Sequence, residues 1–237
     1  MDKPIQLIPL ANLALAFCPV VLVLAVLYRW SVGSGTAVYA LARMLGQLLL
    51  VGYVLKYIFN SSRPSIVCAV LCVMLIVASW ISLRPIRKKR ARTYFEALIS
   101  ISVAGVAILA VVTKGVLDLG LWYEARVVIP LAGMIFSMSM NTLSLAAERY
   151  ESETGRGATH DEARQVALRA ALIPLINSLF AVGLVSLPGM MTGQILSGVD
   201  PLVAVRYQIM VMAMIFGSAG LSAACFLMLQ SRRVVGT

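Results

Sequence analysis

Seven apolar stretches follow one another along this chain, at about 5–28, 37–59, 66–83, 96–114, 126–147, 171–197 and 202–229. That succession limits the fold more than any motif does. A run of about 20 apolar residues is the length a helix needs to cross the hydrocarbon core of a bilayer. In that solvent every backbone N–H and C=O must be paired internally, as a helix does within a single segment. Only 13% of the 237 residues are charged and 60% are hydrophobic, with a mean hydropathy of +0.91. Soluble domains carry about 25% charged residues, so this chain has too little charge to cover a surface in water. The expectation is an all-α integral membrane protein of about seven transmembrane helices. It forms a single transmembrane domain over 1–237, since no stretch is long and polar enough for a separate soluble domain. The first run is too long for a signal-peptide core and lacks a small-residue cleavage site, so it counts as structure.

The charge that remains is informative by position. The net charge is +10, which alone would suggest a nucleic-acid partner. However, Arg84, Arg87, Lys88, Lys89, Arg90 and Arg92 crowd one short loop, and basic clusters beside a span mark the cytoplasmic side. Placing that loop inside also puts Arg29, Arg149, Arg156, Arg164, Arg169, Arg232 and Arg233 inside, most of the 20 basic residues. Lys3, Lys56, Arg63, Lys114, Arg126 and Arg206 then fall at the outer edge. The N-terminus is expected outside and the C-terminus inside, in a cell inner (plasma) membrane. The basic excess sets orientation and is no nucleic-acid footprint.

One cytoplasmic connection is long. The segment 148–174, ERYESETGRGATHDEARQVALRAALIP, holds half of the 10 acidic residues. Thr159 with Glu162 makes a capping box, the N-terminal signature of a helix. Ala163, Val166, Ala167 and Ala170 then recur at helical spacing as a small apolar stripe, with Arg164, Gln165 and Arg169 off it. Such a short helix either docks in a groove of a partner, or lies on headgroups and merges with the next span. Gly157-Ala158-Thr159, Ala163 and Ile173-Pro174 resemble the EAA-type loop of ABC permeases, the coupling helix that sits in a cleft of the ATPase subunit. The resemblance implies that Gly157, Ala158, Thr159, Glu162, Ala163 and Arg164, within a segment of about 148–170, couple this chain to an ATPase.

The most unusual stretch is VGLVSLPGMMTGQILSGVDP, 182–201. Pro188 lacks a backbone donor and Gly189 loosens the chain, so a helix is expected to break near 186–194. Irregular backbone is tolerated in a membrane only where it is buried in protein or lines a watery cavity. Ser186, Met190, Met191, Thr192 and Gln194 are the side chains available there to contact a solute, and the break would then act as an outer gate. The other reading is a helix end near Leu187 followed by a tight surface loop. Asp200-Pro201 reads as the N-cap and first residue of the last helix.

GQLLLVGYVLKYIF (46–59), VVIPLAGMIFSMSMN (127–141) and RAALIPLINSLFAVGLVSLPGMMTGQILSGVDPLVAVRYQIMVM (169–212) together resemble the FetB family of ABC transporter permeases. That family takes in bacterial proteins assigned to iron export and plant membrane proteins linked to aluminium tolerance. The likeness implies a permease subunit that pairs with itself and with a cytoplasmic ABC ATPase, and that exports iron or another small solute. The chain departs from the family in having Ser137-Met138 where Gly-Asn is common, and Phe180 where a lysine is common. Both changes make the pathway less polar.

Candidate pathway residues are few. Arg43 and Gln47 share a face of the second span. A charge deep in a bilayer is usually functional, but Arg43 is close enough to the inner edge to snorkel instead. Met134, Ser137, Ser139, Asn141 and Ser144 on the fifth span either line a path or pack helix against helix. Fe(II) favours imidazole and carboxylate, yet His160 is the one histidine and lies in a loop, and no acidic residue sits deep in a span. Methionine thioethers suit Cu(I) better, and also serve as plain apolar filler. The four cysteines, Cys18, Cys68, Cys72 and Cys225, all fall in apolar runs, as packing residues or, for the pair at 68 and 72, as soft-metal ligands. No tight metal site is legible. No GxxxxGK(S/T) phosphate loop occurs, so this chain is expected to bind no cofactor and to be no enzyme, with ATP handled by the partner. The alternatives are an ATP-independent secondary transporter or channel, built on the Arg43/Gln47 face and the break, and a membrane scaffold without transport.

Overall fold

The computed structural model describes residues 9–59, 63–86 and 91–231. Lys3, Arg87, Lys88, Lys89, Arg90, Arg232 and Arg233 lie outside the described residues. Those that are described form nine α-helices and no sheet, in two compact units, 1–60 and 61–237.

The first unit holds α1 (Leu10–Leu15), α2 (Cys18–Arg29) and α3 (Ser34–Phe59). The interruption between α1 and α2 has a local cause. A proline ring collides with the carbonyl four residues earlier; for Pro19 that residue is Leu15, where α1 ends. Gly33, at φ +60°, turns the chain from α2 into α3. No residue of α2 is buried, and Leu22, Tyr28, Leu48, Leu49 and Tyr53 are exposed. These helices present apolar surface on nearly every side, which suits lipid as the surrounding solvent.

The second unit holds α4 (Pro64–Ser82), α5 (Ala91–Ala110) and α6 (Ala125–Gly155), then α7 (His160–Ala181), α8 (Gly189–Leu196) and α9 (Pro201–Ser231). A π-helical turn, Val111–Val116, extends α5. Helix α6 is the hub, packed against α4, α5, α7 and α9, and α5 packs on α9 as well. The contacts run through small residues: Ala97, Ala104 and Gly105 on α5, Ala132, Ser139 and Ala146 on α6, Ser218, Ala219, Ser222 and Ala223 on α9. Small side chains let helix backbones approach closely, which is how membrane helices gain packing energy without a hydrophobic driving force. Several serine hydroxyls satisfy themselves on their own helix, Ser100 donating to the Glu96 carbonyl at 2.7 Å and Ser79 to that of Leu75 at 2.8 Å. At Gly105 the approach is so close that an added Cβ would sit 2.9 Å from Cε1 of Phe136.

Among the described residues six helical stretches are long and apolar enough to cross a membrane: Ala11–Arg29 (α1 with α2), Ser34–Lys56, Pro64–Ser82, Ala91–Val116, Ala125–Gly155 and Pro201–Gln230. The remaining expected span, 171–197, is divided between the second half of α7 and the whole of α8. The broken helix is therefore present, but its irregular part is 182–188, earlier than 186–194, and Met190 to Gln194 are helical. Pro188 sets the later boundary. Rather than ending a helix, it stands as the N-cap of α8, at φ −63° and ψ 148°, and holds only Leu187 out of the helical region; α7 has already ended at Ala181, where Gly183 turns the chain at φ +83°.

Candidate functional site

Three groups of expected residues lie in the second unit. The first is the α6–α7 turn. Helix α6 runs past the expected span to Gly155, and Gly157 takes φ +91° so that the Ala158 N–H can return to the Glu153 carbonyl at 3.2 Å. A side chain at that φ would be strained, which explains the glycine. Thr159 then caps α7 as expected: its backbone N–H and its hydroxyl donate to Glu162 Oε2 at 3.0 and 2.7 Å, and its Oγ1 accepts from the Glu162 N–H at 3.4 Å. The hydroxyl and amide donated by Thr159 hold the Glu162 carboxyl below its ordinary 4.5. Arg164 pairs with Asp161 at 3.0 Å, and Arg149 forms an ion pair with Glu153 at 2.8 Å. His160, not assigned a role by the sequence, meets the Tyr150 hydroxyl through Nδ1 at 2.7 Å and ties the two helices together.

Two features of this turn differ from expectation. Helix α7 is no separate short element: it continues through Pro174 to Ala181 and merges with the next span. Its buried row is Ala163, Ala167, Ala171 and Leu175, whereas Val166 is exposed and Ala170 half-buried. The small residues face inward because α7 lies along α6, and alanine permits that closeness. Gly157, Thr159 and Glu162 are exposed, Ala158 and Arg164 half-buried, and Ala163 is enclosed. Beside the turn a polar cleft of about 630 Å³ is lined by Pro85, Glu148, Glu151, Ser152 and Arg156, among others.

The second group is a stripe on α6. Ser137 and Asn141 are exposed, and Met134, Met138 and Ser144 half-buried; Leu145 and Glu148 continue the same face, exposed. Ser139 is fully enclosed on the opposite side. Ser137 lies twelve residues into α6, about 18 Å at 1.5 Å per residue, so the stripe crosses the middle of an apolar span. Every other face of α6 is covered by its neighbours. The Ser137 hydroxyl donates to the Met134 carbonyl on its own helix at 3.2 Å, so it is the Asn141 amide that a lipid-facing stripe would leave in hydrocarbon at a cost. This face suits water or another protein surface.

The third group surrounds the break. The turn is closed by its own backbone: Val185 and Ser186 N–H donate to the Ala181 carbonyl at 2.8 and 3.1 Å, and the Gly183 N–H to that of Ser186 at 2.9 Å. Gly183 sits at φ +83°. Its tip is greasy, with Leu184 92% and Val185 84% exposed. Ser186 and Gly189 are exposed, and Pro188, Met190, Met191 and Thr192 half-buried. The Thr192 hydroxyl is taken up by the Pro188 carbonyl at 3.1 Å. Gln194 is half-buried with its Oε1 enclosed and unpaired. Asp200 caps α9 as expected, accepting from the Leu202 N–H at 2.8 Å.

Arg43 and Gln47 lie on α3 in the first unit, Arg43 half-buried and Gln47 exposed. The four cysteines are free, and Cys18, Cys68 and Cys72 are exposed rather than packed inside. Among the described residues no three His, Cys, Asp or Glu side chains gather to hold a metal ion. Among the buried polar residues not picked out from the sequence are Glu96 and Gln208. Glu96, at the edge of its span, is buried and pairs with Arg92 at 3.3 Å. Gln208 is buried in α9 with Oε1 unpaired; a lone glutamine in the 202–229 run was the signal available.

Continuous apolar helices, one interrupted span and a polar stripe through the hub helix define a multi-pass α-helical membrane protein. The chain belongs to the uncharacterised protein family UPF0014, whose model matches residues 10–235. It is similar to the "Probable iron export permease protein FetB" of Escherichia coli, with 33% identity covering 91% of this chain and 89% of that one. It is also similar to a UPF0014 membrane protein of Synechocystis, 36% identical over 77% of this chain and 76% of that protein. The Arabidopsis thaliana protein ALUMINUM SENSITIVE 3 is 29% identical, over 86% and 80%. No solved structure matches.

Proposed function

We propose that this chain is the transmembrane permease subunit of an ABC transporter, exporting a metal ion such as iron or another small solute. A separate cytoplasmic ATPase drives it, and two copies of the chain assemble as a homodimer in the inner membrane. In this reading 1–237 acts as one permease domain with the N-terminus outside and the C-terminus inside, binding no nucleotide itself. The observation that carries the reading is the exposed Ser137–Asn141 stripe across the middle of the hub helix. A second copy facing that stripe would enclose a polar path and remove its exposure to lipid. The E. coli relative's name supports export of iron. The ligand chemistry supports only weak, passing contacts with a cation, from serine hydroxyls, the Asn141 amide and the thioethers of Met134 and Met138.

Coupling runs through the exposed end of α7. A push on Gly157, Thr159 and Glu162 is passed along α7, which is continuous from His160 through Pro174 to Ala181, to the break at 182–188. Ala163 serves from inside, seating α7 on α6. The break is the hinge of the outer gate. The test is site-specific crosslinking: a cysteine at Glu162, in a background where the four native cysteines are serine, should crosslink to a co-expressed ATPase in a nucleotide-dependent way. Crosslinking to lipid alone in all nucleotide states would remove the coupling role.

A further inference from the structure

We infer that a groove between α4, α5 and α6 is a binding site for one anionic phospholipid, its phosphate held by Lys114. This goes beyond the transport reading and does not depend on it. The groove has a volume of about 280 Å³; Leu71, Leu75, Val106, Leu109 and Phe136 make its walls, and Lys114 and Trp122 also line it. Helix α4 begins at Pro64, the π-helical extension of α5 ends at Val116 and α6 begins at Ala125, so all three meet the same membrane edge. Lys114 stands two residues from that edge. Val106 and Phe136 lie ten and eleven residues from it, about 15 Å deep at 1.5 Å per residue. That is half of the hydrocarbon core of about 30 Å, the depth one leaflet's acyl chain occupies.

The charge stands at the rim and is exposed. An ammonium carries three donors; one goes to the Leu119 carbonyl at 3.1 Å, which fixes the side chain beside the groove. Among the described residues no acidic side chain lines the groove or pairs with Lys114. Two donors and an uncompensated charge are thus left for a phosphate, which lysine binds as a point charge. Trp122 meets Tyr123 edge to face at 5.6 Å, and such aromatic residues sit at headgroup level. Lys114 also belongs to the π-helical turn Val111–Val116, a rare geometry often found at functional sites. Free inorganic phosphate would leave the walls uncovered. An apolar helix laid in the groove would cover the ammonium without a counter-charge, which is costly. A zwitterionic headgroup brings its own cation to its phosphate, so a net anionic one complements Lys114 better.

The test uses the full chain with Trp30→Phe and Trp80→Phe, which leaves Trp122 as the last of the 3 tryptophans. In phosphatidylcholine nanodiscs, phosphatidylglycerol brominated near the head end of one acyl chain is titrated against equally brominated phosphatidylcholine. Bromine quenches tryptophan fluorescence only at close range. Expected is about 2- to 5-fold tighter apparent binding of phosphatidylglycerol, the range an exposed ion pair produces. Lys114→Gln retains a hydrogen-bond donor, loses the charge and should bring the two lipids to parity. Ala110→Phe, which fills the groove, should lower quenching by both. Arg126→Gln removes an exposed cation that does not line the groove, and should leave the preference unchanged. Equal quenching by the two lipids before these substitutions would overturn the inference. So would a preference that survives Lys114→Gln or vanishes with Arg126→Gln. Quenching by neither lipid would overturn it as well, since protein would then fill the groove.

Discussion

Replacing Gly105 with alanine tests the tightest surroundings of any described glycine. Gly→Ala inside a helix ordinarily stabilises by up to about 1 kcal/mol, and Gly46 on α3, with nothing within 4 Å of an added Cβ, should follow that rule. At Gly105 the added carbon would lie 2.9 Å from Phe136 Cε1, 3.3 Å from its Cδ1 and 3.2 Å from Ile135 Cγ2. Both partners are essentially enclosed, Phe136 at 3% and Ile135 at 0% exposure. The ring can yield only by pushing on its own neighbours. Overpacking of this kind costs about 1–3 kcal/mol. With three contacts at once the upper part of that range applies, leaving a net loss of about 1–2 kcal/mol after the helix-propensity gain. Detergent-titrated unfolding would read it, with G46A as the opposite-sign control. Adding Phe136→Leu should recover most of the loss as a coupling energy, because the two substitutions share one contact. If G105A proves as stable as the unsubstituted chain, α5 and α6 are farther apart than described.

Asn141→Leu should leave the melting temperature near its starting value and lower solute flux severalfold; a pronounced gain in stability at full flux would mean the stripe faces lipid. Thr159→Ala should cost about 1 kcal/mol through the lost cap, read as faster hydrogen exchange at the start of α7. Glu162→Gln should weaken the same helix end at neutral pH. Because the folded Glu162 carboxyl titrates below 4.5, its contribution is present above that value and fades as pH falls through the folded pKa. The gap between E162Q and the unsubstituted chain should therefore close in acid. Gly183→Ala forces a side chain into φ +83° and should destabilise the turn by about 1–2 kcal/mol, seen as protease sensitivity near 182–188.

The sequence made the helical, membrane-spanning character plain because charge is scarce within the spans and lies mostly toward their ends. Caps were equally legible, since Thr159/Glu162 and Asp200-Pro201 are local chemistry. What was hidden depended on tertiary partners. The inward row of α7 follows 163, 167, 171 and 175 because α6 lies there, and helical spacing alone cannot choose between that row and one through Val166 and Ala170. The break was placed a few residues late because Pro188 can end one helix or begin the next, and only the three-dimensional course of the chain decides. Gln208 lay in an apolar run as an isolated polar residue, and only the packed bundle shows that it is buried.

The central claim is that solute movement through this chain is powered by ATP burned elsewhere. The most direct measurement is solute flux in proteoliposomes holding the purified chain with and without its co-expressed ATPase, in ATP or a non-hydrolysable analogue. The account predicts flux only with the ATPase and hydrolysable ATP. Undiminished flux from the purified chain alone would contradict it.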